Sequence, residues 1–401
     1  MFPSLAWLHY CNDCQRGQRL TRRTFAATRA PQVNGGPLVD LLGLPYPELL
    51  QRLAAYDERL PKYRARQLWQ ALYREGIASL AEVTTLPVSL RSTLASKFQA
   101  RSCAVKTAQV SALDQTTKFL VHLGTPQLGK NAHQDSQQSV EAVLIPEGAR
   151  QTLCVSSQIG CSLACTFCHT GTQRLLRNLS AAEIVGQVML ALEHCREFPI
   201  IPNQQRRLKN IVFMGQGEPL YNYRQVRPAI QVLTDPDGLA FRPDRITVST
   251  SGVAPLIPKL ATDLGITLAV SLHAVNDALR DKLVPLNRTY PLAVLLKACE
   301  SFAKHASPRN SRITFEYVML KGVNDSLGEA ATLARLVSHL PAHINLIQFE
   351  CSPVAQIEAF AQTLKSKNVY TSVRWSKGQD ILAACGQLRS NELLKGAATA
   401  S

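Results

Sequence analysis

From about residue 151 to residue 350 the chain repeats one pattern six times, a short run rich in β-branched residues followed by an amphipathic stretch of helical period. The runs are TLCVSSQIG, KNIVFMG, RITVSTSG, TLAVSLHA, RITFEYVML and INLIQFE, and between them lie stretches such as SAAEIVGQVMLALEHC, PLAVLLKACESFAKHA and SLGEAATLARLVSHL. Alternation of this kind predicts a parallel sheet, curled or open, with crossover helices. In curled forms the loops that leave the strand C-termini carry the site, so the strand ends are the positions to inspect. A last strand, NVYTSVRW, precedes QDILAACGQL and a polar tail.

The flanking sequence reads differently. Residues 1–36 bear Arg, hold one acid, are rich in small and hydroxyl residues, and end in a Pro/Asn/Gly segment. They read as an organellar presequence, mitochondrial rather than plastid, whose removal would take the Cys11/Cys14 pair with it. Without such processing the protein would be cytoplasmic. Residues 37–100 read as a small helical unit, in which LVDLLGLPYPELLQRLAAYD has helical spacing of Leu and ARQLWQALYREG ends at Gly76. Residues 101–150 read as a β-hairpin extension built from KFLVHL and SVEAVLIP. The expected order is completed by the sheet domain, 151–367, and a C-terminal segment, 368–401.

Composition narrows the class. With 46% hydrophobic and 18% charged residues the chain is a folded globular protein. No apolar run reaches the ~18 residues of a membrane span. Its net charge is +15, and the presequence-like segment, with five Arg and one Asp, leaves +11 on the other 365 residues. A surplus carried by the body favours a polyanionic partner such as RNA, DNA or an anionic membrane. Arg64, Arg66 and Arg74 place part of it on the helical unit, read as an RNA-positioning element with a packing role as the alternative.

Three of the eleven cysteines, Cys161, Cys165 and Cys168, fall within GCSLACTFC directly after an expected strand. An odd total with such clustering is unlike a secreted disulfide framework. Three thiolates can hold a [4Fe–4S] cluster with one iron left open to a chelating substrate. The alternatives are a zinc site completed by His169 and inert thiols. The next strand ends in MGQGEPLYN, where Gly215 and Gly217 permit close backbone approach and Glu218 can hold an ammonium group.

These residues resemble the RlmN/Cfr family of radical S-adenosylmethionine (SAM) RNA methyltransferases. The likeness runs from about residue 38 to 390 through LPKYRARQLWQALYREG, VEAVLIPEGARQTLCVSSQIGCSLACTFCHTGTQ, NIVFMGQGEPLYNY, ITVSTSGV, LAVSLHAVND, FEYVMLKGVNDS and QDILAACGQL. The HTGTQ and GQGEPLYN wording is similar to alphaproteobacterial members, which suits an organellar enzyme of bacterial descent. The resemblance implies a partial (β/α)6 radical SAM barrel. It implies that Cys161, Cys165 and Cys168 ligate the cluster and that Gly217, Glu218, Ser249, Ser271, Leu272 and His273 contact SAM. It makes Cys385 the methyl carrier, Cys154 the resolving thiol and Glu141 the proton acceptor.

The implied reaction uses two SAM molecules per turnover. One methylates the Cys385 thiolate, and the other yields a 5′-deoxyadenosyl radical that activates the S-methyl group for addition to an adenine ring carbon. An aromatic C–H of adenine is neither acidic nor nucleophilic enough for polar methyl transfer. The implied product is C2-methyladenosine in large-subunit ribosomal RNA, and in many members also in tRNA. C8 methylation is the alternative within the class, and a non-catalytic iron–sulfur or zinc RNA-binding protein is the alternative outside it. A ferredoxin or flavodoxin system is the implied electron donor, and a monomer the expected state. The target base must leave its stack to reach a site inside a barrel. One departure stands out. Where members commonly carry an Asn that contacts SAM, this chain reads Gln348, Phe349, Glu350, Cys351, and Glu350 is not assigned to the site.

Overall fold

Residues 38–124, 138–201, 204–349, 352–384 and 386–388 are described by a computed structural model. The presequence reading of residues 1–36, Glu350 and Cys385 lie outside them.

Three helices open the described chain: α1 (Tyr46–Tyr56), α2 (Lys62–Tyr73) and α3 (Val88–Ala95). Each starts directly after a proline, Pro45, Pro61 or Pro87, whose fixed φ sets the chain up for a first turn. Leu49 and Leu53 of α1 meet Leu68, Trp69, Leu72 and Tyr73 of α2 in the core, and the Tyr46 ring stands edge-on to Trp69 at 5.5 Å. A two-residue parallel ladder, Val39–Asp40 on Phe98–Gln99, closes this helical unit.

Ten strands then form one sheet in which spatial order equals chain order. They are β1 (Cys103–Val110), β2 (Thr117–Leu123), β3 (Ser139–Glu147), β4 (Arg150–Cys154), β5 (Leu208–Phe213), β6 (Ile246–Thr250), β7 (Thr267–Ser271), β8 (Ile313–Met319), β9 (Ala342–Gln348) and β10 (Tyr370–Arg374). From β4 to β10 every pairing is parallel. The six expected strand runs are β4 to β9, and the last strand is β10.

Each crossover uses helical structure: α4 (Ala181–His194) after β4, α5 (Tyr223–Thr234) after β5, helical turns after β6, α6 (Asp277–Leu283) and α7 (Leu292–His305) after β7, α8 (Leu327–Val337) after β8 and α9 (Val354–Ser366) after β9. The partial barrel is open, with β1 and β10 as its edges. Ser180 and Glu183 form a capping box at α4, and Ser326 and Glu329 form another at α8, which fixes where those crossovers begin.

The extension is larger than the expected hairpin. Strands β2 and β3 pair antiparallel as expected, but β1 adds a third strand, and β3 pairs antiparallel with β4, so the extension continues the barrel sheet. The register of β1 shifts between Val105 and Thr107, and this bulge breaks the period-two alternation by which a strand is recognised in sequence.

Candidate active site

The loop that follows β4 carries the three clustered cysteines. It is clasped at its base by a short antiparallel bridge, Gln158–Ile159 on Arg177–Asn178. Asn222 holds both ends by donating from Nδ2 to the carbonyls of Ser157 and Leu179, each at 2.8 Å. Within it Cys168 N donates to Cys165 O and Leu163 N to Cys161 Sγ. Cys161, Cys165 and Cys168 face one cleft at the C-terminal ends of the parallel strands, a space of about 1010 Å³ including its open mouth. Gly217, Glu218, Ser249, Ser271 and His273 line the same cleft, as do the apolar side chains of Phe167, Phe213, Met214, Val318, Ile347 and Phe349.

Glu218 is buried at the start of the turn after β5. One carboxylate oxygen accepts from Leu220 N (3.1 Å) and the other from Ser251 N (2.8 Å). Burial outweighs those donors and raises its pKa to about 7. Gly217 reaches φ +93°, and a Cβ there would collide with Gln158, whose Oε1 receives Glu218 N at 2.8 Å. His273 is a left-handed residue at the end of the strand run. Its Nδ1 accepts from Val318 N at 3.1 Å, its ring meets Phe167 edge-on at 4.7 Å, and burial lowers its pKa to about 3. A neutral imidazole whose Nδ1 accepts must carry its proton on Nε2, so His273 is a fixed donor. Leu272 differs from its neighbours: it is core, it does not line the cleft, and its carbonyl accepts from Arg280 Nε at 3.0 Å.

Cys154 and Glu141 sit beside the cleft on one face of the sheet. Val143 is the register partner of both Cys154 and Lys118, and Glu141 lies two residues from Val143 on the same side of β3. The chain after β10 covers this face: Ile381, Ala383 and Leu388 pack with Val143, Ile145 and Cys154. Glu141 is 2% exposed and pairs with Lys118 Nζ at 3.3 Å. The covering segment is held at both ends. Gly378 N donates to Asp114, and Asp380 accepts from Ser111 Oγ (2.7 Å) and Ala112 N (2.9 Å), all on the β1–β2 turn. At the far end His169 N donates to Gly386 O at 2.7 Å and Thr170 Oγ1 to Leu388 O at 3.0 Å, which joins the segment to the cysteine loop. Gly386 and Leu388 line the cleft, and Cys385 falls between described residues that touch both the cysteine loop and the Cys154 face.

A model of the radical SAM superfamily matches residues 155–334. The chain is 46% identical over 386 residues to the dual-specificity RNA methyltransferase RlmN of Parvibaculum lavamentivorans, covering 93% of this chain and 92% of that protein. It is 48% identical over 362 residues to the RlmN of Rhodopseudomonas palustris strain TIE-1, with 87% and 89% covered. The chain belongs to the RlmN family of radical SAM RNA methyltransferases. Among solved structures, a radical SAM methyltransferase from Sphaerobacter thermophilus aligns with a TM-score of 0.77 at 40% identity over 88% of this chain and 100% of that one.

Membership in this radical SAM family implies SAM and an iron–sulfur cluster, and the residues present fit both. Burial and mutual repulsion raise the Cys161 and Cys165 thiols to about 11 and 12, an arrangement that suits cationic iron in place of their protons. Among the described residues no three His, Cys, Asp or Glu side chains are arranged to hold a single metal ion, and His169 does not line the cleft. Cluster ligands each bind a different iron and need not converge on one point. The apolar walls suit a nucleoside, and the Glu218 carboxylate suits an ammonium group.

Sequence reasoning missed several residues that shape this RlmN-family site. Arg280 is buried and donates to the carbonyls of Ser251, Ser271 and Leu272 and to Asn287 Oδ1, which pins the ends of β6 and β7 together. Gln216 takes Ser157 N and Gln158 N on its carbonyl and Glu141 N on Oε1, so it links the cysteine loop to β3. Asn324 donates to His273 O and Val318 O, holding the left-handed His273 turn. Glu316 lines the cleft and is held by Asn345 Nδ2 at 2.8 Å. Burial raises its pKa. None stands at a spacing that marks chemistry; each is visible only through its partners. The N-terminal arginines make contacts within the protein. Arg66 pairs with Asp237 at 3.0 Å, Arg74 donates to the carbonyls of Pro236 and Asp237, and Arg64 donates to Thr85 O, so all three serve packing contacts.

Proposed function

We propose that this protein methylates C2 of adenosine in large-subunit ribosomal RNA, and in tRNA, using two SAM molecules per turnover. The observation that carries the reading is convergence. The three-cysteine loop, Glu218 and the Gly386 and Leu388 that follow Cys385 border one cleft, while Cys154 and Glu141 lie on the sheet face that the same segment covers. Cys161, Cys165 and Cys168 would hold a [4Fe–4S] cluster, which would supply the one-electron chemistry for the radical step. Glu218 would hold the SAM ammonium, and Gly217, Ser249, Ser271 and His273 Nε2–H would meet its other polar groups, with Leu272 shaping the strand end through its backbone.

Cys385 accepts methyl from one SAM: the S–CH3 bond to the thiolate forms as the sulfonium bond breaks. After the activated carbon has joined the ring, Glu141 would take the ring C–H proton, the C–H electron pair would return to the ring, and the one unpaired electron left by radical addition would return to the oxidised electron-donor system that supplied the first. The Cys154 thiolate then attacks the Cys385 sulfur. A disulfide forms, the electron pair of the sulfur–carbon bond leaves with carbon, and that carbon takes a proton to become methyl. A dithiol reductant restores both thiols, and a ferredoxin or flavodoxin system is the proposed source of the electron for the radical step. The net +11 charge on residues 37–401 supports an RNA substrate. The Arg-bearing N-terminus supports action in the mitochondrial matrix or another organelle, and a monomer is the proposed state.

The test is anaerobic reconstitution with SAM. A one-methyl mass increase on the Cys385 peptide is expected, followed by 2-methyladenosine in nuclease digests of a large-subunit rRNA transcript or of tRNA. Lack of methyl on Cys385 overturns the carrier role, and 8-methyladenosine as the product overturns the C2 assignment.

A further inference from the structure

Lys118 stands on β2 within KFLVHL, where the sequence offers no reason to single it out. In the fold its side chain is 4% exposed, and Nζ lies 3.3 Å from Glu141 Oε1 and 3.4 Å from Leu382 O, to which it donates. It therefore touches both the carboxylate assigned to proton removal and the segment that carries Cys385. Its strand position matches: Lys118 is the register partner of Val143, whose other partner is Cys154. Leu382 adopts a left-handed conformation, φ +52°, at the point where its carbonyl receives the ammonium. A buried ion pair is weak support for stability, because apolar side chains of the same volume would pack as well without losing hydration. A cation kept between these two partners has a use in setting the charge and the place of the carboxylate.

We propose that Lys118 is a positioning residue for the proton-removal step: its ammonium keeps Glu141 ionised and ties it to the Cys385-bearing segment through the Leu382 carbonyl. This rests on the reading of Glu141 as the proton acceptor. The other ionisable or charged groups around this face are His122 on β2, Cys154 on β4, and Arg374 and Lys377, which border a small cavity with Ile145, Ala383 and Ala384. Asp380 is engaged by Ser111 and Ala112. Lys118 forms an ion pair with Glu141, Nζ to Oε1 at 3.3 Å.

The test uses the full chain with its cluster reconstituted, SAM, a reductant and a large-subunit rRNA transcript, and compares Lys118→Met, Lys118→Arg and Glu141→Gln. Lys118→Met is expected to methylate Cys385 as the parent does, which shows that it folds and binds SAM. It should then accumulate a covalent protein–RNA adduct. Its half-maximal rate of product release should move to higher pH by about one unit or more, because removing a cation favours the neutral carboxyl group. Lys118→Arg should restore release. Unchanged release by Lys118→Met overturns the proposal. So does a loss of Cys385 methylation equal to the loss of product, or slowed release with the same pH profile and no rescue by Arg. Glu141→Gln is the separate control: if it releases product normally, the proton-acceptor reading fails and Lys118 has no base to position. If it stalls while Lys118→Met does not, that reading stands and the Lys118 proposal alone fails.

Discussion

Glu218 shows how one side chain can be both legible and altered by its setting. The sequence places a carboxylate after a Gly-rich turn, and burial then lifts its pKa to about 7. Below that pH the folded protein holds it largely protonated, and a neutral carboxyl group cannot pair with an ammonium. SAM affinity is therefore expected to rise with pH through about 7 and then level off, and Glu218→Gln should bind weakly with no such rise; equilibrium dialysis of the cluster-loaded protein from acid to alkaline pH checks both. His273 should add no break near the ordinary imidazole value of 6.5, because burial has lowered it to about 3 and Val318 N occupies Nδ1. A step in affinity that survives in Glu218→Gln and disappears in His273→Gln would contradict this assignment.

At the scale of elements, the segment after β10 is a strap fastened at two places. Asp380 and Asp114 fasten it to the β1–β2 turn, and the carbonyls of Gly386 and Leu388 fasten it to the cysteine loop. Hydrogen bonds to ionised groups contribute about 1.5–3 kcal/mol each. Asp380→Ala should thus loosen the strap without unfolding the barrel. Its expected signature is faster cleavage by a protease between residues 376 and 388 and slower methylation of Cys385, with an unchanged melting temperature of the barrel. Equal protection of the two proteins would show that the turn does not hold the strap. The turn also explains why β1 exists: the expected hairpin of β2 and β3 alone would leave Ser111, Ala112 and Asp114 without a strand to present them.

At the scale of the molecule, the helical unit and the barrel meet around Trp69. This side chain is buried and lies against Gly238, while Arg66 and Arg74 reach Asp237 and Pro236 beside it. Trp69→Ala should cost about 3–5 kcal/mol, read from denaturant unfolding, since the lost volume is in the core of the unit. The Arg66–Asp237 pair is half exposed, so a double-mutant cycle should return about 0.2–1 kcal/mol. Because Arg74 is spent on backbone carbonyls, Arg74→Ala should leave the salt dependence of RNA binding unchanged; a slope reduced by about one would mean that it contacts phosphate.

The sequence alone determined the order of the six β/α units, the cysteine loop, the Glu218 turn and the family. All of these are local: a run of six β/α units, a three-cysteine spacing and a Gly-Glu turn are each contained within a few tens of residues at most per unit. It also marked Cys154, Glu141 and Cys385, but only by likeness, since each alone reads as an ordinary core or strand residue. Only the tertiary structure decided what surrounds them. Lys118 meets Glu141 across neighbouring strands and Leu382 across 264 residues of chain, and Arg280 joins two strand ends through carbonyls. It also turned Arg66 and Arg74 toward the barrel. Spacing along the chain records what one element must present, whereas a buried charge takes its meaning from groups that register and packing bring to it from elsewhere.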